Sequence, residues 1–139
     1  MENVLIILTA IFCLAVVATI TVYNYFDRIN FRIERLIRRH SEALDGWAKK
    51  CDTLLSGSAD AYFKAKQARA KLKCFCRMIY DVRTGSGEIP EITSQLQDFC
   101  SAYNVLAEEY NRKLNLPVIG QIARISRQSP WERLNFYPE

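Results

Sequence analysis

The stretch SAYNVLAEEYNRKLNLP, residues 101–117, carries the dipeptide Tyr-Asn twice, at Tyr103-Asn104 and Tyr110-Asn111. Hydroxyls and amides repeated one heptad apart can bind a ligand, pair with backbone or lock a packing seam. The other reactive side chains offer little competition. A metal centre needs convergent ligands, and His40 is the one histidine. Cys74 and Cys76 stand two apart, so on a helix they diverge by ~200°. No Cys-x-x-Cys or structural-zinc spacing occurs. The one cysteine set left open is Cys51, Cys76 and Cys100, gathered across helices. A nucleophilic triad would rest wholly on His40, and no Glu-x-x-His serves a carboxylate-bridged metal pair. TGSGE, 84–88, lacks the spacing and the lysine of a phosphate loop and reads as a turn. His40 falls on an apolar stripe and reads as a core histidine. No catalytic, metal or cofactor-binding residue is therefore expected, no small-molecule substrate is evident, and the chain reads as a non-enzyme.

The Tyr-Asn pairs then invite a structural reading. Tyr103 and Tyr110 belong to an apolar helical stripe, which places their rings between helices and their hydroxyls at its edge. Asn104, Asn111 and Asn115 form an adjacent amide row. Asparagine is a poor helix-interior residue, so three on one line imply tertiary hydrogen bonds, to a neighbouring helix or to the turn before Pro117. Such a row can fix register, as buried amides do in coiled coils.

The elements that must position these residues begin with an anchor. Residues 4–22, VLIILTAIFCLAVVATITV, contain no charge. As a helix they would be roughly 28 Å long, close to the ~30 Å hydrocarbon core of a bilayer. Glu2 replaces the basic start of a signal peptide, and the cleavage pattern near Ala15–Ala18 is poor. Arg28, Arg32, Arg35, Arg38 and Arg39 follow the run, with nothing basic before it. Basic flanks stay cytoplasmic. The expectation is a single-pass inner-membrane protein, N-terminus outside and C-terminal domain inside, with the arginines near anionic lipid. Cysteines in that compartment are expected to stay reduced, mostly as small core residues.

Beyond the anchor, 1–26, a helical bundle is expected over 27–127. Phe26, Ile29, Ile33, Leu36, His40, Leu44, Trp47, Cys51 and Leu54 recur every three or four residues, and no Pro or Gly interrupts until Gly46. The membrane helix is expected to run directly into this first helix. SGS, 56–58, stops it, and Ser58 should cap the second helix. That helix carries Tyr62, Ala65, Ala68, Leu72, Phe75 and Ile79 on one face and Lys64, Lys66, Arg69, Lys71, Lys73 and Arg77 on the other. Such a basic face suits lipid or an acidic protein better than nucleic acid, for which no recognition motif appears. RTGSGEIP, 83–90, breaks the pattern. The third helix starts near Pro90, carries Ile92, Leu96, Phe99, Tyr103, Leu106, Tyr110 and Leu114, and stops at Pro117. It is acidic where the second is basic, which suits antiparallel neighbours. VIGQIARISR, 118–127, is a short amphipathic piece. Residues 128–139, with Trp131, Leu134, Phe136 and Tyr137, are too apolar for a free tail and should pack on the bundle or a partner. The fold class is all-α, with the transmembrane helix continuous with a three- or four-helix antiparallel bundle.

Three segments resemble the LemA family of membrane-anchored helical proteins: YNYFDRINFRIE at 23–34, LIRRHSEAL at 36–44 and AYNVLAEEYNRKLNLPVIG at 102–120. Tyr103, Asn104, Tyr110, Asn111, Leu116 and Pro117 match the late block of that family. Tyr23-Asn24 matches the Tyr-Asn after its anchor, and Arg38-Arg39 resembles its paired basics. The chain departs from it in HSEALDGWAKK, where the family has a Pro- and Asn-containing segment, and in Leu116, where the family has Phe. The resemblance implies a divergent, non-enzymatic bacterial membrane component with a short external N-terminus and a cytoplasmic bundle. It carries over no catalytic residue. Together these readings point to a membrane-tethered scaffold that associates with itself, with membrane lipid or with another membrane protein. The alternative is a small accessory subunit of a larger membrane complex, with Ala10, Ala15 and Ala18 packing on partner helices.

Overall fold

A computed structural model describes residues 1–136. The described residues are all-helical, with six helices: α1 (Glu2–Arg39), α2 (Ser41–Leu54), α3 (Asp60–Lys64), α4 (Ala68–Ser86), α5 (Ser94–Leu114) and α6 (Pro117–Ile125). Helix α1 is long and apolar enough to cross a membrane, and none of its most apolar window is buried in the protein. Within it Thr9, Thr19 and Thr21 return their hydroxyls to the carbonyls four residues back, at 2.8 Å each. These three side chains thus need no water. The same helix then supplies Phe26, Ile29, Ile33 and Ile37 to the core.

The expected continuous helix over 26–55 is divided at His40, where φ is −103° and ψ 16°. Backbone bonds still bridge the joint, His40 to Leu36 and Leu44 to His40, both 3.1 Å. The buried stripe shifts accordingly, through Ile37 rather than Leu36, and Leu54 ends up exposed. The second helix is also divided. Ala65 and Gln67 are extended, and this run separates the single turn of α3 from α4. Ser58 does not cap α3: its N-cap is Ala59, and the Ser58 hydroxyl is buried without a hydrogen-bond partner. Helix α4 continues through TGS and ends at Gly87, whose φ of 74° suits glycine. Helix α5 starts at Ser94, with Thr93 accepting from the Leu96 N–H, rather than at Pro90.

Helix directions follow from their contacts. Tyr25 bonds Glu109 at 3.0 Å and His40 lies on Phe99 at 5.5 Å, so α5 runs opposite to α1. Trp47 meets Phe75 at 5.2 Å, and Leu55 packs on Gly85, so α4 runs in the same direction as α2. No ion pair links the basic α4 to the acidic α5 among the described residues; the one ion pair there is Arg77–Asp81 within α4. What lies between them is the extended chain after α6.

The α5–α6 corner leaves no room. A Cβ on Gly120 would stand 2.2 Å from the Leu114 carbonyl oxygen, whereas one on Gly46 would meet nothing within 4 Å. Gly120→Ala should therefore lower stability by about 1–3 kcal/mol, the usual cost of forced overpacking. Gly46→Ala, inside α2, should raise it by about 0.5–1 kcal/mol. Denaturant unfolding of the two variants in one detergent checks the opposite signs.

Candidate functional site: the tyrosine–asparagine clasp

Helix α6 ends in a Schellman motif, with Gln128 N–H bonded to the Ala123 carbonyl and Arg127 N–H to that of Arg124. Arg127 takes the left-handed position, φ 59°, usually given to glycine. This turn releases the chain into an extended run that passes back along α5. Asn111 takes both backbone groups of Trp131: its Nδ2 donates to the carbonyl at 2.8 Å and its Oδ1 accepts from the N–H at 2.9 Å. Asn104 does the same for Leu134, at 2.9 and 3.0 Å. The tyrosines complete each step. Tyr110 donates to Gln128 Oε1 at 2.6 Å, and Tyr103 donates to the Glu132 carbonyl.

The heptad spacing has a geometric cause. Seven helical residues rise ~10.5 Å, and three extended residues span ~9–10 Å. Amides at 104 and 111 therefore meet residues 134 and 131 in register. Side chains three apart on such a run share one face, as in polyproline II. Trp131 and Leu134 both point inward and are buried, as is Phe136. Phe136 packs on Trp47 at 5.1 Å and Phe75 at 6.1 Å. Trp131 meets Tyr103 edge-on at 6.3 Å.

Helices α4 and α1 hold the other side. One guanidinium nitrogen of Arg69 reaches the carbonyls of Ser129 and Pro130 at 2.9 and 3.0 Å and the Ser129 hydroxyl at 3.0 Å. The same guanidinium covers the Trp131 ring at 4.0 Å, a cation–π contact. Arg83 reaches the carbonyls of Asn135, at 3.2 Å, and Phe136. Asn30 accepts from the Trp131 indole at 2.8 Å and donates to Gln128 at 3.1 Å. Five side chains on two helices, Tyr103, Asn104 and Asn111 of α5 and Arg69 and Arg83 of α4, thus replace the strand neighbours that an extended segment ordinarily needs.

The expected amide row is therefore two-thirds engaged, and its partner is the tail rather than a helix. Asn115 is exposed at the C-cap of α5 and takes no part. Pro117 opens α6 at its first position, where its missing N–H costs nothing. Arg38 and Arg39 close the last turn of α1. Arg38 joins Glu34, Lys66, Arg69 and Lys71 around a basic cleft of about 610 Å³. Arg39 joins Arg32 and Arg35 beside Leu36, Val105 and Leu106 in an apolar groove of about 440 Å³. Asn30 and Arg83 were not singled out by the sequence, and Arg69 was read only as part of an exposed basic face. For Asn30, a polar residue between Ile29 and Ile33 near the stripe edge was the available signal.

His40 is half-buried, with Nδ1 3.0 Å from the Leu36 carbonyl. No group of three or more His, Cys, Asp or Glu residues gathers as a metal site among the described residues. Burial pushes the thiols of Cys51 and Cys100 up to about 12. Burial does the same to Cys76, with the Glu132 carboxylate beside it adding to the shift. These thiols suit packing rather than nucleophilic work. Comparison with family models, curated proteins and solved structures finds no match for this chain.

Two outcomes are expected. Asn104→Leu and Asn111→Leu should each lower stability by about 1–3 kcal/mol, because each strands two backbone groups. In a Trp47→Phe background the double variant should also shift Trp131 emission to the red; an unshifted spectrum would show the tail held without the amides. Separately, Cys51, Cys76 and Cys100 should react with a thiol reagent at pH 8 roughly a thousandfold more slowly in the folded chain than in guanidine. Because their folded pKa values lie above the unfolded one, stability should be flat at neutral pH. It should then fall as pH rises from about 9 towards 12, followed by circular dichroism.

Proposed function

We propose that the chain is a non-enzymatic scaffold or interaction module tethered to a bacterial membrane, its helical bundle at the cytoplasmic face. The observation that carries this reading is the double use of α1. Its first two dozen residues expose Leu5, Ile6, Leu8, Phe12, Leu14 and Val17 to a degree no aqueous surface tolerates, each at 58–70%. Without a break the helix then becomes the central strut of the bundle through Phe26, Ile29, Ile33 and Ile37. An anchor coupled in this way sets the bundle's standoff and orientation. Arg28, Arg32, Arg35, Arg38 and Arg39 on the exit side support a cytoplasmic bundle. The likeness of residues 102–120 to the LemA family supports the same assignment.

The accessory-subunit reading has an observation of its own. The groove beside α1 has an apolar floor at Leu36, Ala102, Val105 and Leu106, with Arg32, Arg35 and Arg39 around it. Val105 is 66% exposed there. Such a groove fits an acidic, amphipathic segment of another subunit.

The chain should stay with membranes through carbonate extraction, and its C-terminal side should be protease-sensitive only from the cytoplasmic face. Crosslinking in the native membrane should then give self-adducts or lipid adducts. Stoichiometric adducts with a second protein, lost on Val105→Glu, would favour the accessory subunit. Extraction by carbonate would defeat both readings.

A further inference from the structure

Helix α6 holds a second apolar surface that the bundle does not use. Ile119, with Gly120 and Ala123, faces the protein. On the outward side Val118 is 69% exposed, and Leu116 at the preceding corner is 38% exposed. Pro117 between them is exposed too. Three consecutive apolar residues at the tip of a helical corner call for an apolar neighbour.

Their height along α1 identifies that neighbour. Ile119 lines a groove with Thr21, Val22, Tyr25 and Lys113. Just past the other end of α6, Gln128 is bonded to Asn30 at 3.1 Å. Helix α6 therefore descends beside α1, away from the apolar run, and Leu116, Pro117 and Val118 form its upper end. That end stands level with Thr21 and Val22, the last residues of the uncharged segment 4–22. Ile125 lies six residues further on, ~9 Å lower by helical rise from Ile119. Arg112 and Lys113 close α5 just beneath the tip, at the depth where lipid phosphates lie if Val22 marks the hydrocarbon edge.

We propose that the α5–α6 corner is a second membrane contact, with Leu116, Pro117 and Val118 entering the leaflet that α1 crosses and Lys113 at the phosphates. The occupant is lipid acyl chain, because the corner continues the surface of α1 at the same level. This rests on α1 spanning the bilayer. Two contacts fix the tilt of the bundle, which one helix leaves free to rotate about its own axis.

The test places photoreactive benzoylphenylalanine singly at positions 12, 118, 125 and 105 of the full chain. Each variant is reconstituted in phosphatidylethanolamine–phosphatidylglycerol vesicles, irradiated and analysed by mass spectrometry for acyl-chain adducts. Positions 12 and 118 should give adducts at comparable yield. Positions 125 and 105 should give at least tenfold less. Adducts at 12 without adducts at 118 overturn the corner contact and leave the anchor intact. No adducts at 12 overturn the membrane reading and the contact with it. Equal yields at 105 and 118 also overturn the proposal, since the bundle would then meet lipid by another face.

Discussion

An extended segment with no neighbouring strand can be buried only if other groups take up its N–H and C=O. Here the side-chain amides of Asn104 and Asn111 do this for Leu134 and Trp131, and much of the fold follows from it. The tail occupies the space between α4 and α5, where two helices in direct contact would have brought basic and acidic faces together. Because the tail fills that space, Trp131, Leu134 and Phe136 become core residues. Because it crosses in front of α1, Asn30 has indole and amide partners. Arg69, from the basic face of α4, and Arg83, from its last turn, serve backbone carbonyls.

The clasp also explains the choice of residue types. An asparagine amide offers a donor and an acceptor at the spacing of one peptide unit, so it can pair with both groups of a single residue. Leucine would pack and leave both unmet; glutamine would add a rotatable bond. The tyrosines contribute ring area to the core, Tyr110 on Phe26 at 4.9 Å and Tyr103 on Phe99 at 5.8 Å. Their hydroxyls remain at the tail. Each Tyr-Asn step thus faces two ways, ring inward and amide along the groove. No ionised side chain is buried among the described residues, so the arrangement avoids the desolvation cost of a buried ion pair.

Much of this was legible from spacing. The stripes of α1, α4 and α5, the inward tyrosines and the hydrogen-bonding role of Asn104 and Asn111 all follow from helical periodicity and from the poor helix propensity of asparagine. The partner of those amides did not. An irregular segment has no period, so nothing in residues 128–136 announces which of its carbonyls will meet an amide. Asn115 shared the row by spacing, yet it falls where α5 ends and the groove has passed. The breaks at His40 and at residues 65–67 escaped notice because neither contains glycine or proline. Each break precedes a tertiary contact: Trp47 of α2 meets Phe75, and Arg69 of α4 reaches the tail.

The order of elements along the chain has a consequence for assembly. Residues 128–136 follow all six helices, yet they supply the wedge between α4 and α5. During synthesis α1 emerges first, with every other partner of its core face still to be made. The groove lined by Tyr103, Asn104, Tyr110 and Asn111 emerges next and stays open, its amides facing water. Only the passage of the last segment closes it. The apolar first half of α1 is therefore made well before the core is complete, and the half-built bundle has an unfilled aromatic groove until residues 128–136 are added.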